Sequence, residues 1–526
     1  MKKNAGLPLL LCCLWAAGGL RFLPSPLARG APQGKGAKVI SDEVFHLGND
    51  EKKNWKAFTR VKPHNGKKIS LRFAAEPNKS ESALEVKSGD VNSKCGVTLN
   101  SRRLGSLVKG KGGKGENLQY LKVPAGLLKK TGNVLVVQYE EKSTDDIYIG
   151  PFVLHARSVA AMKRLAELEI VVTSKEQPGQ GLPCRLTVVR LVSKAARIVE
   201  EPAELKLEKS SKRALRKGTV YTLTGRLDLA LKPGKYRVYA TRGFEYGLGM
   251  ARADLSPGEK RRVELTLERE VDTSGYLAGD THIHTLTYSG HGDASVAERV
   301  VTIAGEGIEV AVATDHNHHT DYSSWTSKAG SGGHYQSVVG NEFTTSLGHF
   351  NAFPADKNSK PANHKHDDWD RLLKAVRATP GVRVVICNHP RREGFKKGPW
   401  GKLGLDPVSG EFAGGRQWLG LDAGGGINGK TLEKEAYENF SDWFALLNAG
   451  HRLTAVAGSD SHTVAQPVGH CRTYIRSSTD DPRRIDVGEV VENILAGRVL
   501  VSMGLLADAK VNGQFTAGDL ATGVGE

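Results

Sequence analysis

The chain has 526 residues, of which 39% are hydrophobic and 25% charged, with a formal net charge of +17 and a pI near 9.4. That length gives room for about three soluble domains, and after the N-terminus no run approaches the ~18 apolar residues of a membrane span. Lysine and arginine are scattered, denser only at 102–114 and 206–217 and without interleaved aromatics. A solvated basic surface is therefore expected rather than specific nucleic-acid binding, with a polyanionic or carbohydrate surface left open as a partner.

Lys2 and Lys3 precede an apolar stretch at 7–20, and Ala28 and Gly30 offer small residues before Ala31. This pattern predicts a signal peptide over 1–30 and a secreted or periplasmic protein. A Gly, Lys and Pro-rich linker is expected at 31–40. Cys95, Cys184, Cys387 and Cys471 remain after cleavage and form no CxxC pair, so no zinc ribbon or dithiol redox motif is present. Cys387 and Cys471 lie in apolar runs and read as buried thiols.

Short β-runs separated by turns fill 41–156, at 82–87, 96–99, 133–139 and 147–155, which predicts a β-sandwich. The segments VTLNSRRLG (97–105), VPAGLL (123–128) and GNVLVV (132–137) resemble galactose-binding-like jelly-roll domains. A second sandwich, of immunoglobulin-like type, is expected over 157–271. It has alternating runs at 168–173, 185–191, 221–229 and 262–267, and a Pro-Gly turn opening the strand in LKPGKYRVYAT (231–241).

From 272 the texture changes to strand followed by helix. Strands are expected at 276–284, 308–314, 337–344, 382–389 and 453–462. Helices are expected at 295–304, opened by a Ser295/Glu298 capping box, at 369–379 and at 436–448. Such alternation argues for a parallel sheet or barrel. The region 506–526 is expected to be a C-terminal β segment or tail.

Each of these apolar strands ends in metal-ligand residue types: GDTHIHT at 279–285, Asp315 and His316, Asn341 and Glu342 followed by Gly348 and His349, Asn388 and His389, and Ser459 to His462. In β/α barrels the carboxyl ends of strands make the active-site face. Residues two apart share a strand face, so His282 with His284, and Asp460 with His462, can meet one ion. Imidazole plus carboxylate suits zinc, manganese or iron.

In combination GDTHIHT, ATDHN, LGHFNAFP, NHP and AGSDSH resemble the PHP (polymerase and histidinol phosphatase) superfamily, and most of all its CehA/McbA branch, which includes carbamate ester hydrolases. The resemblance spans about 275–505. It implies a distorted (β/α)7 barrel over 272–505, following the two sandwiches, and two or three divalent ions. His282, His284, Glu342 and Asp460 would hold one ion. Glu342 would bridge to a second held by His349 and His389. His316 and His462 would hold a third with a ligand from the 289–293 loop, His291 being favoured over Asp293. Asp280 and Asp315 would orient the histidines from behind, with a plain strand-end cap as the other reading of Asp315.

Arg391 and Arg392 are candidates to grip an anionic substrate oxygen, or form a surface pair. His319, or its neighbour His318, is a candidate proton donor to a leaving group, or an exposed loop residue. The glycine run at 423–426 is read as a loop. The expected activity is hydrolysis by a metal-activated water, with Glu342 and Asp460 at its centre. Phosphoesters are the first choice of substrate, because the superfamily mostly handles them and paired arginines suit an anion. A carbamate or carboxylic ester, small or polymer-linked, is the alternative. A non-catalytic polysaccharide- or surface-binding protein is the reading from a different class.

Overall fold

The computed structural model describes residues 37–48, 65–108, 116–140, 146–194, 197–208, 210–391, 394–428, 433–507 and 509–521. The expected signal peptide lies outside the described residues, as does 31–36 of the expected linker. The rest of that linker is ordered: Ala37–Ser41 is a strand paired antiparallel with Ile147–His155.

The chain divides into two compact units, Met1–Met162 and Lys163–Glu526. The first is built from two antiparallel sheets. One runs Ala37–Ser41, Ile147–His155, Ser82–Gly89, Glu116–Val123, with Phe45–Leu47 beside Ile147–His155. The other runs Lys68–Phe73, Asn133–Tyr139, Cys95–Leu99, Arg102–Ser106. Alternate residues of both face one shared core, including Leu84, Val86, Val97, Leu135, Val137 and Phe152, as a sandwich requires.

The second unit opens with further β structure. A three-stranded sheet, Arg226–Leu231, Ala166–Ser174, Lys260–Leu267, shares a core with a six-stranded sheet centred on Cys184–Lys194 and Gly234–Thr241. Strict burial alternation in Arg226–Leu231 shows one wet and one packed face. Cys184, Cys387 and Cys471 are buried free thiols, and Cys95 is buried.

Beyond residue 275, strands and helices alternate and two five-stranded sheets form. The first runs Gln336–Val339, Val310–Ala313, Tyr276–Ile283, Arg472–Arg476, Val499–Ser502. The second runs Asn341–Thr344, His349–Phe353, Val384–Asn388, Ala423–Asn428, Thr454–Gly458. The sheets do not close into the expected (β/α)7 barrel. The backbone pairing described between them is limited to isolated bridges, Ile283 with Ser461 and His316 with Glu342, while their facing side chains share one core that includes Leu277, Val312, Val384 and Val456. Two features break the barrel pattern. Asn341–Thr344 and His349–Phe353 form an antiparallel hairpin where a strand-helix-strand unit would be needed, and Arg472–Arg476 runs antiparallel to Tyr276–Ile283. The 423–426 glycine run belongs to a strand, pairing with Val384–Asn388 and Thr454–Gly458, and not to a loop.

The helix Val296–Gly305 starts as its sequence dictates. The Ser295 side chain accepts from the Glu298 N–H, and the Glu298 side chain accepts in turn from the Ser295 N–H. The helices Trp369–Arg377 and Glu433–Asn448 cover the second sheet, with Trp369, Leu372, Leu373 and Leu446 in its core. Past residue 505 the described chain holds only an isolated bridge, Val511 with Phe515. No described helix is long and apolar enough to cross a membrane.

Glu309, just before Val310–Ala313, gives a stability prediction. Its carboxylate accepts from the Ala278 N–H at 2.8 Å. Burial pushes its pKa up to about 7, opposed by that hydrogen bond and aided by nearby Glu245. The folded state therefore holds the proton more tightly than the unfolded state does. The associated stability is complete below the ordinary glutamate pKa and is lost as pH rises towards 7. Glu309→Gln is expected to gain roughly 2 kcal/mol at pH 8 and little at pH 4.5, measured by urea unfolding at both pH values.

Candidate metal centre

The Tyr276–Ile283 strand delivers His282 and His284 to one side, with both rings buried. Behind them, Asp280 accepts from the N–H groups of His282 (3.0 Å), Ser459 (3.0 Å) and Gly469 (2.7 Å). It thus ties two ligand-bearing strand ends by backbone alone. Asp315 acts on a ring. It accepts from the Ser289 hydroxyl at 2.7 Å, and Ser289 Oγ lies 3.2 Å from His284 Nδ1. That relay fixes the ring with Nε2 directed to the cluster.

Glu342 is the hub. Its Oε1 lies 3.1 Å from His282 Nε2, 3.1 Å from His349 Nδ1 and 3.4 Å from His389 Nε2, and it accepts from Asn388 Nδ2 at 2.9 Å. Its Oε2 lies 2.7 Å from His316 Nδ1 and 3.5 Å from His284 Nε2. Asp460 Oδ1 stands 3.3 Å from His284 Nε2, 3.6 Å from His282 Nε2 and 3.4 Å from His462 Nδ1. Four groups therefore bring ligand atoms within 4.8 Å of one another: His284/His316/His462, His282/His284/Asp460, His282/Glu342/His389 and His316/Glu342/His349. All eight residues expected from the strand ends converge.

Of the two loop candidates, the His291 ring lies beside His462 and His316, 4.5 and 4.9 Å centroid to centroid, but joins none of the four ligand groups. Asp293 instead accepts from the Val464 N–H at 2.8 Å and pairs with Arg216 Nε at 3.3 Å. Close approach here depends on glycine. A Cβ on Gly292 would sit 2.3 Å from the His462 carbonyl oxygen, and one on Gly458 would sit 2.5 Å from His282 Cβ.

Electrostatics prepare the cluster for cations. Burial alone would raise the Glu342 carboxyl, yet the His282 charge and the close approach of the His282, His316 and His349 imidazoles hold it well below the usual carboxylate range. Asp460 is lowered in the same way, against burial, by His282 and His284. Burial lowers His284 strongly and His389 as well, which favours the neutral imidazole that ligates metal. His282 goes the other way: Glu342 and Asp460 outweigh its burial and raise it. His282 Nε2, His284 Nε2, His389 Nε2 and Glu342 Oε2 are buried and lack a hydrogen-bond partner. Buried polar atoms are rarely left so, and convergent imidazole nitrogens and carboxylate oxygens without a thiolate fit divalent ions. His389 and Asp460 also hold left-handed backbone, φ +27° and +50°, a conformation that costs energy and concentrates at functional sites.

The expected substrate-binding residues fare differently. The Arg391 guanidinium does not face an open site. Its Nε and Nη2 each donate to Asp442 at 2.7 Å, Nη1 lies 3.5 Å from Glu438, and Asp442 is fully buried. Arg391→Ala would strand that carboxylate, so a stability loss of about 3 kcal/mol is expected in denaturant unfolding. Arg392 lies outside the described residues. His319 is buried with Nδ1 3.0 Å from the Ser359 carbonyl, and stands apart from the ligand groups. Burial lowers its pKa. His318 stacks on Tyr288 at 4.7 Å.

Sequence reasoning missed three supporting contacts. Asn388 lay within the NHP motif but carried no assigned role. Thr344 Oγ1 stands 2.7 Å from His316 Nδ1, and Ser289 forms the relay described above; a lone hydroxyl residue gives no signal of this kind.

No family model matches the chain, and no curated protein matches it. Among solved structures it is similar to a two-domain protein from Bacteroides vulgatus containing a predicted PHP-like metal-dependent phosphoesterase. That match has 18% identity and a TM-score of 0.31, over 44% of this chain and 66% of that one, just under two thirds of its length. It is similar also to the pilus adhesin RrgA from Streptococcus pneumoniae, with 11% identity and a TM-score of 0.14, over 37% and 33% of the two chains. A β-glucuronidase from Faecalibacterium prausnitzii matches at 10% identity and TM-score 0.15, over 59% and 61%. All three are remote, and none defines a fold or an activity for this chain.

Proposed function

We propose that the chain is an exported metal-dependent hydrolase whose 272–505 region is a PHP-type catalytic domain close to the CehA/McbA branch. The observation that carries this reading is the convergence of His282, His284, His316, His349, His389 and His462 on Glu342 and Asp460, with buried ligand atoms left unpartnered. In this reading His282, His284, His389 and Asp460 surround one end of the cluster, and His291, His316 and His462 the other. Glu342 spans both. Divalent ions held there would supply Lewis acidity and activate water for attack on a phosphorus or carbonyl centre. Glu342 and Asp460 balance the cationic charge, and the neutral imidazoles fix the geometry.

Phosphoesters are the proposed substrates. A neutral carbamate or carboxylic ester is the second reading, favoured by the engagement of Arg391 with Asp442, which removes one cation expected to receive an anion. The two β-sheet regions before residue 272, each of two sheets, are proposed as accessory domains that place the enzyme at a carbohydrate or polyanionic surface. The test is a screen of phosphate, carbamate and carboxylic esters with added zinc or manganese. Turnover of a phosphoester is expected; turnover of neutral esters alone would move the second reading to first place. No turnover of any class by metal-loaded protein would support a binding scaffold.

A further inference from the structure

One fully buried cation beside the cluster has no carboxylate partner among the described residues. Arg299, in the helix Val296–Gly305, has no solvent exposure. Its donors all go to neutral acceptors: Nε to the His284 carbonyl at 2.9 Å, Nη2 to the Ser461 carbonyl at 3.0 Å, and Nη1 to Ser461 Oγ at 3.0 Å and Thr302 Oγ1 at 3.3 Å. Asp280 and Asp315 act on it only from a distance, with no direct ion pair, and burying a guanidinium that way is costly, so the contacts it makes need a reason.

Those contacts select two particular peptides. His284 carries one proposed ligand. Ser461 sits between two others, Asp460 and His462, and Asp460 is held in left-handed backbone. The strands bearing them share no continuous ladder there: besides the Asp280 tie on one side, they are paired through an isolated bridge at Ile283 and Ser461, where the His284 N–H donates to the Ser461 carbonyl at 3.2 Å and the Asp460 N–H to the His282 carbonyl at 2.9 Å. A continuous ladder would set the spacing elsewhere; at this seam the planar fork of one arginine spans both sides.

We infer that Arg299 is a positioning residue that fixes the His282–His284 and Asp460–His462 ligand pairs relative to one another, and so sets the affinity and ligand geometry of the metal centre. This rests on the metal-centre reading. Lysine at 299 keeps the charge but cannot reach His284 and Ser461 with the same planar fork.

The test compares wild type, Arg299→Lys, Arg299→Met and Ser461→Ala. It uses zinc affinity from chelator competition and the visible absorption of the cobalt-substituted proteins. Removing such outer partners typically weakens metal binding 10–100-fold. We expect at least a tenfold loss for Arg299→Met, a smaller loss for Arg299→Lys and Ser461→Ala, and a displaced cobalt spectrum in all three. A residue that served folding alone would lower thermal stability and leave the spectrum of the folded fraction unchanged. Wild-type affinity and spectrum in folded Arg299→Met would overturn the inference. If that variant does not fold, an unaltered spectrum in Ser461→Ala and Arg299→Lys overturns it equally. Failure of wild type itself to bind zinc or cobalt would instead refute the metal centre.

Discussion

Glu342→Gln is expected to lower turnover by at least about a hundredfold, a loss of roughly 2.7 kcal/mol of transition-state stabilisation. Gln keeps the size of Glu342 but removes the charge at the hub of the cluster. Both carboxylate oxygens are in use, Oε1 towards His282, His349 and His389, and Oε2 towards His284 and His316. A single amide oxygen cannot serve both sides, and its NH2 group cannot ligate. Cations held close together in a protein interior repel strongly unless an anion lies between them, so occupancy as well as activation of water should suffer. The measurement is kcat on any substrate the wild type hydrolyses, with circular dichroism to confirm folding. Near-normal turnover would show that Glu342 does not bridge.

Stripping the metal should change stability in one part of the molecule only. The ligands all belong to the Lys163–Glu526 unit and none to Met1–Met162. An ion present at about a thousand times its Kd stabilises the folded state by about 4 kcal/mol, which for a unit of this size is a Tm shift of about 5 °C. Calorimetry with and without chelator should show the transition of the larger unit fall by at least that much and that of the smaller unit stay in place. Equal shifts in both, or none in the larger, would count against a centre confined to the C-terminal unit.

Most of the candidate ligands were legible because they lie at or just past the carboxyl end of an apolar strand, where local sequence declares both the strand and its polar terminus; His349, which opens a strand, and His291, in a loop, are the exceptions. HIH at 282–284 and SDSH at 459–462 need no long-range information. That the sheets of the expected distorted barrel stay open is not visible in the sequence, because a strand's direction leaves no mark on its composition. Asn341–Thr344 and His349–Phe353 read as successive strands whether they run parallel or, as they do, antiparallel. Arg391 was misread because its partner Asp442 lies 51 residues away on another element. Arg299 gave no signal because it sits beside the apolar positions of its helix, where an arginine ordinarily faces water. The glycine run at 423–426 reads as a loop, since glycine is depleted in strands; pairing on both sides overrides that preference.

Elemental analysis of purified protein, grown and prepared with zinc and manganese supplied, tests the central claim most directly. About two to three divalent ions per chain are expected, given an imidazole and carboxylate set that offers several overlapping sites. A His282→Ala/His284→Ala variant should fall below about one. Less than about one ion per chain in the wild type under those conditions would contradict a multinuclear centre.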